Sequence, residues 1–322
     1  YNMNLLGRWL FRLCCGAGGV AGLALALLYF FQENLLYIPR LPGVPAGFWK
    51  YPNDFKLEYE DVYLTTDDGV KLHAWLLWRS GWTKEVLKSR PVVLFFQENA
   101  GDMSYRLPFL RLLVYRLNVV VFALSYRGYG LSEGRPNQRG LQKDALAGLR
   151  YVLSRNDLAT DKVVLFGRSL GGAVAIHLAA EQQAQIQGLI VENTFTAVQD
   201  MASRVVPPLS LLIGAGRPCN FLITNKWSNI DMIPRIKLPM LMMVSLQDEM
   251  VPSSQMFRLH AAQTSPNCEL VQFEKARHMD AYDTEPELYW GALAHFLTTH
   301  VDKPFGADAQ DGEETDDQPY SV

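Results

Sequence analysis

Gly167-Arg168-Ser169-Leu170-Gly171 stands between the apolar run Lys162–Phe166 and a small-residue stretch of helical character, Gly172–Ala180. A serine on a sharp turn from a buried strand into a helix is lifted clear of the sheet, and glycines two residues to either side leave room for that strained backbone. A helix starting just after Ser169 would point its free N–H groups and the positive end of its dipole at an oxyanion formed there. The same pentapeptide also fits an ordinary glycine-rich turn. Context favours a nucleophile: strand before, helix after, and an acid and a histidine downstream in the order Ser, Asp, His.

Outward from this turn the chain reads as alternating strands and helices. Pro91–Phe96 and Asn118–Leu124 are solid apolar runs, as expected of parallel strands covered on both faces. Lys162–Phe166, Gln187–Val191, Met240–Ser245 and Leu270–Phe273 continue the strands. Ser104–Leu117, Gln138–Ser154, Ala173–Gln183, Ser253–Gln263 and Glu285–Thr299 supply helices. Upstream, Glu58–Thr65 and Val70–Trp78 flank the turn Asp67-Asp68-Gly69 and predict an antiparallel hairpin at the sheet edge. The expected class is α/β, with a mostly parallel central sheet flanked by helices.

Phe195–Pro234 breaks the rhythm with Val205-Val206-Pro207-Pro208, Leu209–Gly214 and Phe221-Leu222-Ile223. Two readings fit this segment, 195–235, equally: a small helical lid over the strand ends, whose apolar character suits a hydrophobic substrate, or helices packed as extra core.

A chain of 322 residues with 49% hydrophobic and 20% charged positions can bury one large core without disulfides or a metal. The net charge of −3 and the lack of a dense Lys/Arg stripe exclude a nucleic-acid partner. Of the four cysteines, Cys219 and Cys268 fit no metal-ligand spacing, so structural thiols are expected. Residues 302–322 are acidic and almost without apolar side chains, which predicts a disordered tail.

Leu13–Phe31 is an uncharged run of 19 residues, long enough at about 1.5 Å per residue to nearly span a hydrocarbon core. Its length, and the absence of small residues at Phe30-Phe31-Gln32-Glu33, favour a single-pass anchor over 1–34 rather than a cleaved signal peptide. Gly18 and Gly22 form a small-x-x-x-small pair, and Cys14 and Cys15 sit at the membrane edge where acylation is feasible. Residues 35–52, rich in Pro and Gly and carrying Tyr37, Phe48, Trp49 and Tyr51, read as a linker along the membrane interface or the domain surface, and 53–301 as the globular domain.

Serine is a poor nucleophile at neutral pH and needs a base, held in the right tautomer by an acid. Of six histidines, His278 lies in a loop after a predicted strand, at the end of the sheet where α/β sites assemble, whereas His73 falls in the hairpin and His177, His260, His295 and His300 on helices. Asp248, after Met240–Ser245, is the candidate acid, with Glu249 and Glu192 as rivals and with Asp280 and Asp283 assigned to local turns. The oxyanion donors are the backbone N–H groups of Leu170 and Asn99, each worth about 3 kcal/mol in the transition state. A Glu98 carboxylate aimed at the hole would oppose its charge and is expected to turn away. Arg168 and Arg127 read foremost as partners of nearby carboxylates.

Asn99-Ala100-Gly101, Tyr126-Arg127-Gly128-Tyr129-Gly130-Leu131-Ser132-Glu133-Gly134, Gly167–Val174, Glu192-Asn193-Thr194-Phe195, Gln247–Pro252 and His278-Met279-Asp280 together resemble the α/β-hydrolase family. Within it the chain is similar to the membrane-anchored Bem-forty-six-type subgroup, which includes α/β-hydrolase-domain protein thirteen-like chains, over roughly Leu36 to His300. Gln97-Glu98, in place of the His-Gly of many relatives, is similar to the plant-type branch. The resemblance implies an α/β-hydrolase fold and a triad of Ser169, Asp248 and His278, in agreement with the residues themselves.

The function expected is a membrane-tethered serine hydrolase without a cofactor. It would cleave esters or thioesters of hydrophobic acyl chains, with the bilayer and the acyl substrate as partners. Because some anchored relatives are depalmitoylases, palmitoyl-protein thioesterase activity belongs to this expectation. The alternatives are a non-catalytic scaffold in cell polarity or growth, a role the subgroup implies, and a serine aminopeptidase-like amide hydrolase.

Overall fold

Alternation along the buried strands assigns successive side chains to two separate cores. In the computed structural model, which describes residues 5–41, 43, 47–48, 50–205, 210–214 and 216–301, Val92, Leu94 and Phe96 join one apolar cluster while Val93 and Phe95 join the other. Leu165 and Phe166, and likewise Met242 and Met243, divide in the same way. A strand covered on both faces has no polar side, which is why these segments read as unbroken apolar runs.

In chain order the elements are α1 (Leu5–Leu36), β1 (Leu57–Thr65), β2 (Lys71–Arg79), α2 (Lys84–Leu87), β3 (Val92–Phe96), α3 (Leu107–Leu117), β4 (Val120–Leu124), α4 (Gln138–Ser154), β5 (Val163–Arg168), α5 (Leu170–Gln182), β6 (Gly188–Glu192), α6 (Val198–Val205), α7 (Asn229–Met232), β7 (Met240–Ser245), α8 (Ser253–Ala262), β8 (Cys268–Phe273), α9 (Ala281–Thr284) and α10 (Pro286–His300). Among the described residues the strands form an eight-stranded sheet in the order β1-β2-β4-β3-β5-β6-β7-β8. β2 is antiparallel to both its neighbours, and from β4 onward the strands are parallel. Apolar residues of α4, α5 and α8 pack in one cluster and those of α3 and α10 in the other.

The order reverses at β3. The chain goes from β3 to β4 on one side and returns to β5 on the other, pairing Phe96 with Gly167 at the carboxyl end. This switch point, the kind of place where α/β sheets carry their sites, sets the loop after β3 beside Ser169. The approach is close: a Cβ on Gly171 would fall on the Phe96 and Gln97 carbonyls, and one on Gly167 would fall on the backbone of Gly171.

A buried ionic cluster ties these strand ends together. Arg168 Nε donates to Glu192 Oε2 at 2.9 Å, Nη1 donates to Glu98 Oε1 at 3.2 Å and Nη2 to the Tyr289 hydroxyl at 3.2 Å. Arg106 Nε lies 2.5 Å from Glu98 Oε2, and the Arg168 guanidinium also stacks 4.2 Å from the Phe109 ring centroid. Two guanidiniums thus neutralise two carboxylates in the interior. Burial acts to raise the Glu98 carboxyl, and the Arg106 and Arg168 charges outweigh it, holding Glu98 below the usual carboxylate range.

The amino-terminal helix α1 ends against the domain. Gln32, buried on a helix whose neighbouring side chains are exposed, accepts from the Thr224 N–H at 2.8 Å and donates to the Leu222 carbonyl at 3.1 Å. Among the described residues no helix is long and apolar enough to cross a membrane; the side chains of residues 10–18, including Cys14, Cys15 and Gly18, lie outside them, as does the acidic segment 302–322. The stretch 35–52 is not wholly superficial. Tyr37 is buried, because its hydroxyl bridges two side chains of the 195–235 segment, accepting from Trp227 Nε1 and donating to Asn225 Oδ1, each at 3.0 Å. That segment carries both buried apolar groups, Ile213 and Trp227, and exposed ones, Leu211 and Phe221.

Gly171→Ala is expected to cost at least about 2 kcal/mol through backbone overlap and to lower the thermal midpoint by roughly 5 °C, whereas Gly291→Ala, with open space around the added carbon, leaves the midpoint unchanged or higher. A carboxyl held low in the fold adds stability above its unfolded value of 4.5 and withdraws it as pH falls. Denaturant unfolding of Glu98→Gln should therefore lose stability less steeply than the parent as pH falls below 4.5; equal slopes refute the assignment.

Candidate active site

Ser169 occupies the junction of β5 and α5 with φ 53° and ψ −117°. A positive φ at a residue with a Cβ is strained by about 1–3 kcal/mol and persists only where neighbours impose it. Here the Ser169 N–H donates to the Glu192 carbonyl at 2.9 Å, and the Ser169 carbonyl accepts from Thr194 Oγ1 at 2.8 Å and from the Gly172 N–H at 3.0 Å. Gly172 has no side chain to push Thr194 away: a Cβ there would lie 2.6 Å from the threonine Cβ.

His278 follows β8, and its Nδ1 lies 2.7 Å from Asp248 Oδ2, with both side chains buried. A carboxylate only accepts, so Nδ1 carries the hydrogen and Nε2 presents its lone pair. The other Asp248 oxygen accepts from the N–H groups of Met250 and Val251 at 2.8 and 2.7 Å, which fixes the carboxylate.

The rival acids are committed elsewhere. Glu249 accepts from the His278 backbone N–H at 3.3 Å rather than from the ring. The Glu192 carboxylate is bonded to Arg168 and to the Tyr289 hydroxyl, and so serves the ionic cluster. Asp280 accepts from the Arg277 N–H at 2.6 Å, within its own turn. His73 pairs with Asp61 at 2.8 Å, and His177 with Gln142 at 3.0 Å. Arg127 is held by Asp144 and Asp68.

Asn193 and Thr194 were given no role by sequence reasoning, yet they couple the two halves of the site. Asn193 Nδ2 donates to the His278 carbonyl at 2.9 Å, and the adjacent Thr194 donates to the Ser169 carbonyl. Consecutive Cα atoms are about 3.8 Å apart, so this dipeptide holds the backbones of serine and histidine in mutual register. Asn193 is itself in the left-handed region, φ 47°, and is braced on β7 by its N–H to the Met243 carbonyl at 3.1 Å and its Oδ1 to the Ser245 N–H at 2.8 Å. The available signal was the run Glu192-Asn193-Thr194-Phe195 after a strand, a place where polar residues usually serve a loop.

Two N–H groups complete the arrangement. Leu170 opens α5, where the first N–H groups lack helical acceptors. The Asn99 N–H likewise takes no backbone acceptor among the described residues. Glu98, between β3 and Asn99, is turned into the arginine cluster, so its charge is neutralised rather than aimed at these donors. Among the described residues no group of three His, Cys, Asp or Glu side chains is placed to hold a metal ion. Cys219 and Cys268 are free thiols.

A family model described as serine aminopeptidase, S33 matches residues 112–218. The alpha/beta hydrolase domain-containing protein WAV2 of Arabidopsis thaliana is 43% identical over 89% of this chain and 94% of its own length. Protein bem46 of Schizosaccharomyces pombe is 39% identical over 85% and 88%, and an uncharacterized membrane protein of Saccharomyces cerevisiae 30% identical over 87% and 94%. Among solved structures, the Pyrococcus furiosus esterase Pf2001 superposes with a TM-score of 0.66 at 21% identity, covering 83% of this chain and 98% of that one. The Pyrococcus horikoshii acylaminoacyl peptidase gives 0.58 at 16% identity, covering 77% and 42%. At those identities the structural likeness speaks for the fold alone. Identity of 43% and 39% along nearly the whole chain makes this protein a member of the α/β-hydrolase family.

Proposed function

We propose that this protein is a serine hydrolase that cleaves esters or thioesters of hydrophobic acyl chains through an acyl-enzyme on Ser169, palmitoylated proteins being one substrate class. The observation that carries the reading is a serine held at positive φ on the elbow, fastened through Asn193-Thr194 to a histidine whose Nδ1 is 2.7 Å from a buried carboxylate.

In this mechanism His278 Nε2 takes the Ser169 hydroxyl proton as Oγ bonds to the acyl carbonyl carbon. Asp248 accepts from Nδ1–H and stabilises the imidazolium. The tetrahedral oxyanion receives hydrogen bonds from the N–H groups of Leu170 and Asn99. Collapse breaks the bond to the leaving oxygen or sulfur, which receives the proton from Nε2. Water then repeats the sequence on the acyl-enzyme and frees the acid and Ser169.

The preference for acyl chains and the single-pass anchor rest on apolar surface. At about 1.5 Å per residue the 32-residue α1 is about 48 Å long, longer than a hydrocarbon core of about 30 Å. Val20, Leu23, Leu27, Phe30 and Phe31 are exposed along it, and Leu211 and Phe221 are exposed in the segment bonded to its end at Gln32. One relative is named a membrane protein. A second reading, amide hydrolysis, is favoured by the description of the matching family model as a serine aminopeptidase.

A fluorophosphonate probe should label the full chain in detergent and fail to label Ser169→Ala of equal thermal midpoint; equal labelling of the two, or of neither, refutes acyl-enzyme chemistry and leaves a binding scaffold. Asp248→Asn is expected to lower kcat by about 10³- to 10⁴-fold with the fold intact, since Nδ1 loses its acceptor. With esters of increasing acyl length, kcat/KM should rise toward long chains and exceed that for aminoacyl anilides; the reverse order selects the amide reading.

A further inference from the structure

The loop that supplies Asn99 is held from outside the domain's sheet. Ile38, two residues beyond α1, pairs with Ala100 in a parallel bridge: the Ile38 N–H donates to the Asn99 carbonyl and the Gly101 N–H donates to the Ile38 carbonyl, each at 2.9 Å. Asn99 Nδ2 donates to the Leu36 carbonyl, the last residue of α1, at 3.2 Å. On the opposite side the buried Tyr129 hydroxyl donates to the same Asn99 carbonyl at 2.7 Å. The Asn99 carbonyl and side-chain amide are thus engaged by three residues, and its backbone N–H takes no acceptor among the described residues.

The strut reaches further. Tyr37, between Leu36 and Ile38, continues the last turn of α1 through its N–H to the Glu33 carbonyl at 2.8 Å. Its hydroxyl joins Asn225 and Trp227, and both of these also bond Gln138 at the start of α4, Asn225 Oδ1 accepting from the Gln138 N–H at 2.7 Å and the Trp227 N–H donating to Gln138 Oε1 at 2.9 Å. Burial pushes the Tyr37 and Tyr129 hydroxyls well above their ordinary value, so both remain neutral donors.

We infer that Leu36–Ile38 and Tyr129 are the positioning element of the oxyanion hole, and that Tyr37 links this element to the 220–227 segment, so that the seating of α1 sets the direction of the Asn99 N–H. The inference rests on Ser169 as nucleophile and Asn99 as oxyanion donor. A donor aids the transition state only if it is aimed before the charge appears, and a displacement of about 1 Å costs up to about 100-fold in rate. The residues concerned touch no reacting atom, so they act through Asn99.

The test uses the full chain in phospholipid vesicles, with kcat counted per active site titrated by the fluorophosphonate probe. Tyr129→Phe and Tyr37→Phe should each lower kcat for a p-nitrophenyl ester about tenfold with KM within about twofold. They should also weaken inhibition by a trifluoromethyl ketone, whose tetrahedral adduct places an oxyanion in the hole, by the same factor. Tyr115→Phe, which removes only a hydrogen bond to the Lys56 carbonyl at the surface, should change none of these. Asn99→Ala, which frees the loop from Leu36, should reproduce the loss and decides the matter if a tyrosine variant does not fold. Unchanged kcat and ketone affinity in the folded variants overturn the inference, as does a fall in kcat without a fall in ketone affinity. Failure of the catalytic reading itself is distinct, because the parent protein then titrates no site.

Discussion

Among the described residues Arg168 is the cation drawn furthest out of water, and the carboxyl end of the sheet is assembled around its neutralisation. It lies directly before Ser169 in the chain, so every partner it takes also constrains that residue. Glu192 brings the end of β6, Tyr289 brings α10, and Glu98, shared with Arg106, brings the loop after β3. Leaving any of these charges unpaired in a low-dielectric interior costs several kcal/mol, so the cluster acts as a clasp that closes only when all four elements are in place. Glu98, an awkward neighbour for an oxyanion by sequence, becomes a member of that clasp and turns its charge away from the donors.

With the strand ends clasped, the groups that matter chemically hang on short connections. Glycine at 167, 171 and 172 allows the start of α5 to press on β3 and on Thr194. Asn193 and Thr194 then hold serine and histidine, one from each side of a single peptide unit. Residues 222–227 and the end of α1 are in turn joined to each other by Gln32 and Tyr37. These bonds tie the carboxyl end of the amino-terminal helix to the hydrolase domain.

Much of the fold was legible because parallel strands covered on both faces leave no polar face: β3, β4, β5, β6 and β7 were all visible as unbroken apolar runs. The edge was less clear. β8 begins at Cys268 rather than Leu270 because an edge strand, partly exposed, tolerates Glu269. α5 begins at Leu170, directly after Ser169 as the elbow reading expects, although Gly171 and Gly172 are poor helix formers. Asp248, rather than Glu249 or Glu192, pairs with the His278 ring, as the shorter side chain sits where two backbone N–H groups and an imidazole converge.

Local pattern thus carried the strand and helix order and the sharp turn at Ser169, because periodicity and turn chemistry are properties of near neighbours. Folding settled the partners of Arg168, the bridging by Asn193-Thr194, and the contact of Leu36–Ile38 with the Asn99 loop. These bonds join residues as far apart as Arg168 and Tyr289, 121 positions along the chain. Such pairings depend on the reversal of strand order at β3 and on how the two cores stack, and no short stretch of residues encodes either.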